Sequence, residues 1–284
     1  MIEPLLHAID CPDADAKGGT HKLAYAEWPN AAVERQMVCV HGLTRNGRDF
    51  DRLAQACMNG FSVYCPDMPG RGRSAWLADK SQYHYGLYAN DMVHFMDTLG
   101  LKDIYWVGTS MGGLIGMVVA ALHPGRIKKL VINDIGPFIP EAAIQRLGDY
   151  VGKQVAFDTM DQAEAYLRTI LAPWGVTNPE HWAEMATHSF VERNGKLMLH
   201  YDPDIRQNFL SAKGDVDMWE LWGHIKCPVL VLRGGKSDLL SAETADRMLQ
   251  SGKHVELVEF PEIGHAPALM QPDQIQIVRE WLLE

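Results

Sequence analysis

The chain has 284 residues, 47% of them hydrophobic and 22% charged, enough for one sizeable core and a modest appendage, as in an ordinary soluble globular protein. Its formal net charge of −10 argues against a nucleic-acid partner, which needs a basic face, and against binding to an anionic membrane surface. No apolar run approaches the roughly 20 residues of a spanning helix, MIEPLLHAIDCPD lacks the features of a signal peptide, and five cysteines without paired spacing (Cys11, Cys39, Cys57, Cys65, Cys227) suit the reducing cytoplasm.

Residues 20–28, THKLAYAEW, are predicted to form an early edge strand, and Gln36–Val40 a buried one that ends at His41-Gly42-Leu43. A helix over about 49–58 stops at Asn59-Gly60. A strand at 61–65 breaks into Asp67-Met68-Pro69-Gly70-Arg71-Gly72-Arg73-Ser74, and 83–99 carries helical periodicity through Leu87, Met92, Phe95, Met96 and Leu99. Next comes a short strand, Ile104–Val107, that runs through Gly108-Thr109-Ser110-Met111-Gly112 into a helix apolar almost all round, which should lie buried against the sheet. A strand at 129–133 leads to Asp134.

The rhythm changes from about Phe138 to Gly223, where helical patterns dominate at 141–151, 158–171 and 179–190. A hairpin is expected over 191–201, because Asn194-Gly195 favours the two-residue hairpin turn. Alternation resumes with strands at 228–233 and 255–260 and helices at 242–249 and 274–283. Strand–helix alternation implies an α/β fold with a mostly parallel central sheet, flanked by helices through right-handed crossovers. The core domain is then residues 1–137 and 224–284, and 138–223 is a mainly helical insertion.

Gly108-x-Ser110-x-Gly112 fits the nucleophile elbow G-x-S-x-G. The two glycines let strand and helix pass closely while the serine sits strained and exposed at a helix N-terminus, whose free N–H groups favour negative charge. A serine hydroxyl needs a base to take its proton and a third group to orient that base. In an open α/β sheet such groups gather at the carboxyl ends of the strands. There the chain offers Asp238 after strand 228–233, His265 after strand 255–260, and Asp134 after strand 129–133 as another acid. The order Ser110, Asp238, His265 is that of one known triad arrangement, and the spacing Gly235-x-x-Asp238 favours Asp238 over Asp134. Twelve histidines occur without an H-E-x-x-H or C-x-x-C pattern, so no metal is expected, and Gly70-Arg71-Gly72 is no dinucleotide fingerprint. No cofactor is expected.

Four signatures in order, His41-Gly42, Asp67-x-Pro-Gly-x-Gly-x-Ser, Gly108-x-Ser110-x-Gly112-Gly113 and Gly264-His265, make the chain resemble the α/β-hydrolase-fold serine hydrolases with a cap domain, in a carboxylesterase-like branch. The resemblance covers nearly the whole length. It implies Ser110 as nucleophile, His265 as base and then acid, Asp238 as orienting carboxylate, and the backbone N–H groups of Leu43 and Met111 as oxyanion hole. His41 would brace the oxyanion loop, and Asp67 and Arg71–Arg73 would stabilise their own loop. Residues 138–223 would be the cap. Trp174, Trp182, Met185, Phe190, Met198, Phe209, Trp219 and Trp222 give it apolar surface, with Trp174, Trp182 and Met111 as candidate substrate contacts.

Dehalogenases and epoxide hydrolases of this fold use aspartate at the elbow, so Ser110 argues against them. Carbon–carbon bond hydrolases generally carry tryptophan after the histidine, where this chain has Ala266-Pro267. The expected activity is cofactor-free hydrolysis, through an acyl-enzyme, of small to medium apolar esters. Lactones, thioesters and short polyester oligomers fall within that range. The alternatives are carbon–carbon bond hydrolysis of ring-fission products and a non-catalytic binder on the same scaffold.

Overall fold

The computed structural model of the protein describes residues 2–13, 18–207, 214–252 and 254–284. Eight strands share one sheet: β1 (Leu5–Pro12), β2 (Thr20–Trp28), β3 (Gln36–Val40), β4 (Ser62–Pro66), β5 (Ile104–Thr109), β6 (Ile127–Asn133), β12 (Val229–Gly234) and β13 (Val255–Phe260). Their spatial order is β1-β2-β4-β3-β5-β6-β12-β13. Neighbours from β4 to β13 run parallel, whereas β2 is antiparallel to β4 and β1 to β2. Parallel neighbours need crossovers, which the helices α1 (Asp51–Cys57), α2 (Tyr85–Thr98), α3 (Met111–Leu122) and α8 (Ala242–Gln250) supply; with the closing helix α9 (Pro272–Leu283) they cover both faces.

The side-chain alternation of β5 shows how the two faces are filled. Ile104 and Trp106 pack into a core with Phe95, Ile115 and Met248, from α2, α3 and α8. Tyr105 and Val107 pack oppositely with Leu53, Cys57, Val278 and Trp281, from α1 and α9. A strand buried on both faces reads as a continuous apolar run rather than an alternating one, which is why β3, β5 and β12 are plain in the sequence. The edge strand β1 is not. Leu5 and Leu6 are exposed, no apolar stripe marks a face, and β1 exists because it pairs with β2 along its whole length. The expected edge at 20–28 is therefore the second strand.

Between β6 and β12 the described chain contains α4 (Glu141–Gly148), α5 (Met160–Ile170), α6 (Pro179–Ser189) and the short α7 (Trp219–Trp222). It also contains five short strands. β9 (Phe190–Arg193) and β10 (Lys196–Leu199) form the hairpin around Asn194-Gly195, and β8 (Ala156–Phe157) adds to it. β7 (Phe138–Ile139) pairs with β11 (Val216–Asp217). The last three have two residues each, too short for a period of two to register in the sequence.

Register sets the neighbourhood of the β5–α3 turn. Thr109 lies beside Asn133 and Asn133 beside Leu232, so the residues that follow β5 and β6 emerge side by side. The turn itself has no room. A Cβ on Gly108 would stand 2.3 Å from the Gly112 carbonyl group, and one on Gly112 would stand 1.9 Å from the Val40 carbonyl oxygen. The Trp106 indole N–H also donates to the Gly112 carbonyl, at 3.0 Å. Both obstacles are backbone and cannot rotate away. Gly112→Val should cost about 3 kcal/mol or more, read as a lowered urea midpoint; an unchanged midpoint would contradict the packing of α3 on β3.

Candidate active site

Ser110 sits at the tip of that turn with φ 51° and ψ −112°, a conformation that non-glycine residues rarely adopt. Its backbone N–H donates to Asn133 O at 2.9 Å, which ties the tip to the end of β6. The hydroxyl donates to His265 Nε2 at 2.9 Å, and His265 Nδ1 donates to Asp134 Oδ2 at 2.8 Å. The other oxygen of Asp134 accepts the Gly234 N–H at 2.7 Å. An ionised carboxylate only accepts, so the imidazole proton lies on Nδ1, and Nε2 is left with its lone pair toward the serine. Asp134 has no solvent exposure.

The acid beside the histidine is therefore Asp134, not Asp238 as expected from the Gly235-x-x-Asp238 spacing. Register gives the reason: β6 is the immediate neighbour of β5, and Asp134 directly follows its last residue. Past β12 the chain turns instead, with Ser237 N–H donating to Gly234 O and Lys236 N–H to Ile263 O. This carries Asp238 to Arg146 of α4, whose Nε and Nη2 both donate to its carboxylate, the latter at 2.8 Å. Both partners of that pair are nearly half exposed. Asn133 escaped the sequence reading. Its side-chain amide donates to Thr109 Oγ1 at 3.0 Å and to Pro267 O at 2.8 Å, joining the serine turn to the histidine loop.

The loop after β3 is held by side chains that reach its backbone. His41, fully buried, donates from Nδ1 to Gly42 O at 2.7 Å and accepts the Met68 N–H at Nε2, at 2.9 Å. Burial pushes its pKa down to about 3; the bond to Gly42 opposes this, and the charges of Arg71 and Arg45 add to it. Asp67 accepts the N–H groups of Gly47 and Arg73, at 2.8 and 2.9 Å. Arg71 reaches beyond its own loop. Its buried guanidinium donates to Leu43 O at 2.9 Å, to Pro69 O and Tyr88 Oη at 2.7 Å each, and lies 3.6 Å from Met111 Sδ.

Two chambers meet at Ser110, Leu43 and Leu147. The apolar one, about 150 Å³, is lined by Met111, Leu114, Ile135, Ile139, Ile144 and Leu239 among others. The polar one, about 370 Å³, takes in Arg45, Arg146, Tyr150, Trp174, Lys236, Asp238 and His265. Met111 and Trp174 thus face the chambers. Trp182, offered above as a substrate contact, does not: it is buried with Leu167, Trp174 and Met185 in a separate cluster, and its indole donates to Val176 O at 3.1 Å. Its aromatic bulk serves packing. Phe209 lies outside the described residues.

Among the described residues, Cys11, His21 and Asp91 bring ligand-type atoms within 4.8 Å of one another, at the β1–β2–α2 contact and away from both chambers. Both ring nitrogens of His21 already meet carboxylates, Asp13 at 2.9 Å and Asp91 at 3.1 Å. Burial opposes the imidazolium, but these two acids outweigh it and raise the pKa. Burial also pushes the Cys11 thiol far up, away from the thiolate a metal needs. The His21 ring in this cluster is thus satisfied by its own carboxylate partners. No helix among the described residues is long and apolar enough to cross a membrane.

Residues 36–270 match the model of the alpha/beta hydrolase fold family, and the chain belongs to that family and is an enzyme of it. Among curated proteins it is similar to a 3-hydroxybutyrate-oligomer hydrolase of Cupriavidus necator, with 43% identity over 288 residues, covering 98% of this chain and 97% of that one. Among solved structures it is similar to a protein from Rickettsia typhi (34% identity, TM-score 0.92, covering 98% and 99% of the two chains). An alpha/beta hydrolase from Novosphingobium aromaticivorans gives 33% identity and a TM-score of 0.87, covering 99% of both chains.

The two bonds of His41 and its depressed pKa fix a neutral ring with the proton on Nδ1. Imidazole ¹⁵N resonances of His41 should therefore stay those of this tautomer from pH 8 down to pH 5. A titration near the ordinary histidine value of about 6.5 would mean that the loop is not closed around it.

Proposed function

We propose that the protein is a serine-dependent carboxylic ester hydrolase whose catalytic groups are Ser110, His265 and Asp134, acting on short oligoesters of 3-hydroxy acids. The observation that carries the reading is the continuous pair of hydrogen bonds from the Ser110 hydroxyl to His265 at 2.9 Å and from His265 to Asp134 at 2.8 Å. The proton can leave the serine along this line as its oxygen attacks an ester carbonyl, while the buried carboxylate steadies the imidazolium that forms.

In this reading the attack forms a C–O bond and moves the carbonyl electron pair onto oxygen. The backbone N–H of Met111, in the first turn of α3 and without an intrahelical acceptor, supports an oxyanion there. The second donor proposed is the N–H of Leu43. The restraint of its loop by His41 and Arg71 favours a donor fixed before substrate arrives. Collapse breaks the bond to the leaving alcohol, to which His265 returns the proton. Water, deprotonated by the same histidine, then attacks the acyl-enzyme, releasing the acid and restoring the serine.

Substrate class rests on two supports: the name of the Cupriavidus relative, which gives 3-hydroxybutyrate oligomers as what it hydrolyses, and a site with two chambers of unlike character on either side of Ser110. Residues 138–223 act as a cap in this reading, since α4 and the segment around Trp174 contribute walls to the chambers.

With p-nitrophenyl butyrate as a neutral reporter ester, Ser110→Ala should leave no turnover above background while keeping the wild-type fold. Asp134→Asn should lower kcat by about 10³ to 10⁴-fold, through the wrong imidazole tautomer. Asp238→Asn should lose far less. A large loss in Asp238→Asn with little in Asp134→Asn would return the role to Asp238.

A further inference from the structure

We infer that the polar chamber holds a carboxylate subsite, built on Arg146 with Lys236, which receives the free-acid end of the ester's leaving group. The inference rests on the ester-hydrolase reading and adds to it the end of the substrate that is recognised.

The charge around this chamber runs against that of the molecule. The chain has a formal charge of −10, yet the described walls carry three cations, Arg45, Arg146 and Lys236, against one carboxylate, Asp238. The other counter-ions bind their cations from outside the lining. Asp49 holds Arg45 through two bonds of 2.8 and 2.6 Å, and Glu262, 85% exposed, accepts from Lys236 at 2.6 Å; neither lines the chamber. A cleft with a surplus of one sign of charge raises the local concentration of the opposite ion. Arg45 is committed, since its remaining nitrogen donates to Ser189 Oγ at 2.8 Å. Arg146 and Lys236 are held only by water-exposed pairs, with Asp238 and Glu262, and their side chains are 43% and 61% exposed.

An exposed ion pair is worth roughly 0–1 kcal/mol, so a second carboxylate can take the Arg146 fork from Asp238, or share it, at little cost. The planar guanidinium is suited to this, because it binds carboxylates through paired N–H groups. The described wall of the other chamber holds no Arg or Lys. Besides His84, Tyr83, Tyr85 and Tyr88 it is aliphatic, with Met111, Leu114 and Ile135 among its side chains, which suit the hydrocarbon of a short acyl chain. An ester bound across Ser110 with its acyl part in the apolar chamber puts its leaving alcohol on the Arg146 side. For an oligoester of 3-hydroxy acids that alcohol carries the terminal carboxylate when one unit is removed at a time. Hydrolysis then breaks the last ester bond and releases one hydroxy acid from the carboxyl end.

The test compares the linear dimer of 3-hydroxybutyrate as free acid with its methyl ester, which keeps the scissile bond and removes the charge. In the wild type, kcat/KM should be higher for the acid. In Arg146→Gln the ratio of acid to methyl ester should fall by roughly tenfold, the usual weight of a charged hydrogen bond, with partial recovery in Arg146→Lys. Lys236→Gln should move it the same way by less. In Asp238→Asn, where the competing carboxylate is gone, the ratio should rise. The subsite is overturned if the ratio is the same in wild type and Arg146→Gln, or if Asp238→Asn lowers it as far as Arg146→Gln does, since the pair would then only shape the wall. Failure of the wild type to hydrolyse either dimer while it cleaves p-nitrophenyl butyrate would instead sink the oligoester substrate class, and failure on all three the ester-hydrolase reading, so the failures are told apart.

Discussion

A carboxylate with no exposure to water is tolerable only where hydrogen bonds replace its solvation. Asp134 meets that condition with two donors from different parts of the chain, the Gly234 N–H at the end of β12 and the Nδ1–H of His265. Its own backbone N–H donates to Leu232 O. Three strand ends are thereby held at one point: that of β6, which carries the acid, that of β12, and the loop after β13 that carries the histidine. Asn133 repeats the pattern one residue earlier, between Thr109 and Pro267. Without these bonds His265 would be a loop side chain free to swing. With them its Nε2 is aimed at Ser110.

The same arrangement explains why Asp238 is available for other work. The carboxylate position at His265 Nδ1 is filled by Asp134. The turn at 234–237 leads Asp238 outward, where it meets α4. A spacing that fits one position need not fill it when a neighbouring strand presents the same residue type there.

What could be read in advance follows physical visibility. β3, β5 and β12, buried on both faces, appear as apolar runs, and the Gly108–Gly112 turn appears because only glycine fits against the Val40 carbonyl. Ser110 and His265 are legible from the turn and from the Gly264-His265 pair. Choosing between Asp134 and Asp238 needs the register between β5, β6 and β12, which is a tertiary fact; local spacing carried the choice to the wrong loop. Trp182 failed for a related reason. An indole that packs in a core and one that lines a cavity have the same sequence signal, and only the contact with Leu167 and Met185 separates them. Asn133 and the bond from Arg71 to Leu43 had no local signal at all.

Two kinds of polar contact border the chambers, and their costs divide the labour. His41, Arg71 and Asp134 are buried, and each bond they make replaces lost water. To rearrange any of them would leave a donor or acceptor unsatisfied at about 1–3 kcal/mol each, so Ser110, His265 and the loop of Leu43 are held in place. Arg146, Asp238 and Lys236 stand at the other limit. Water screens them, their pairs are worth little, and exchanging one partner for another costs almost nothing. Chemistry needs the first kind of contact, because electrostatic stabilisation is effective only when the dipoles do not have to turn toward the charge. Selection among anions needs the second, because a guanidinium too firmly held by its own carboxylate has nothing left to offer a substrate.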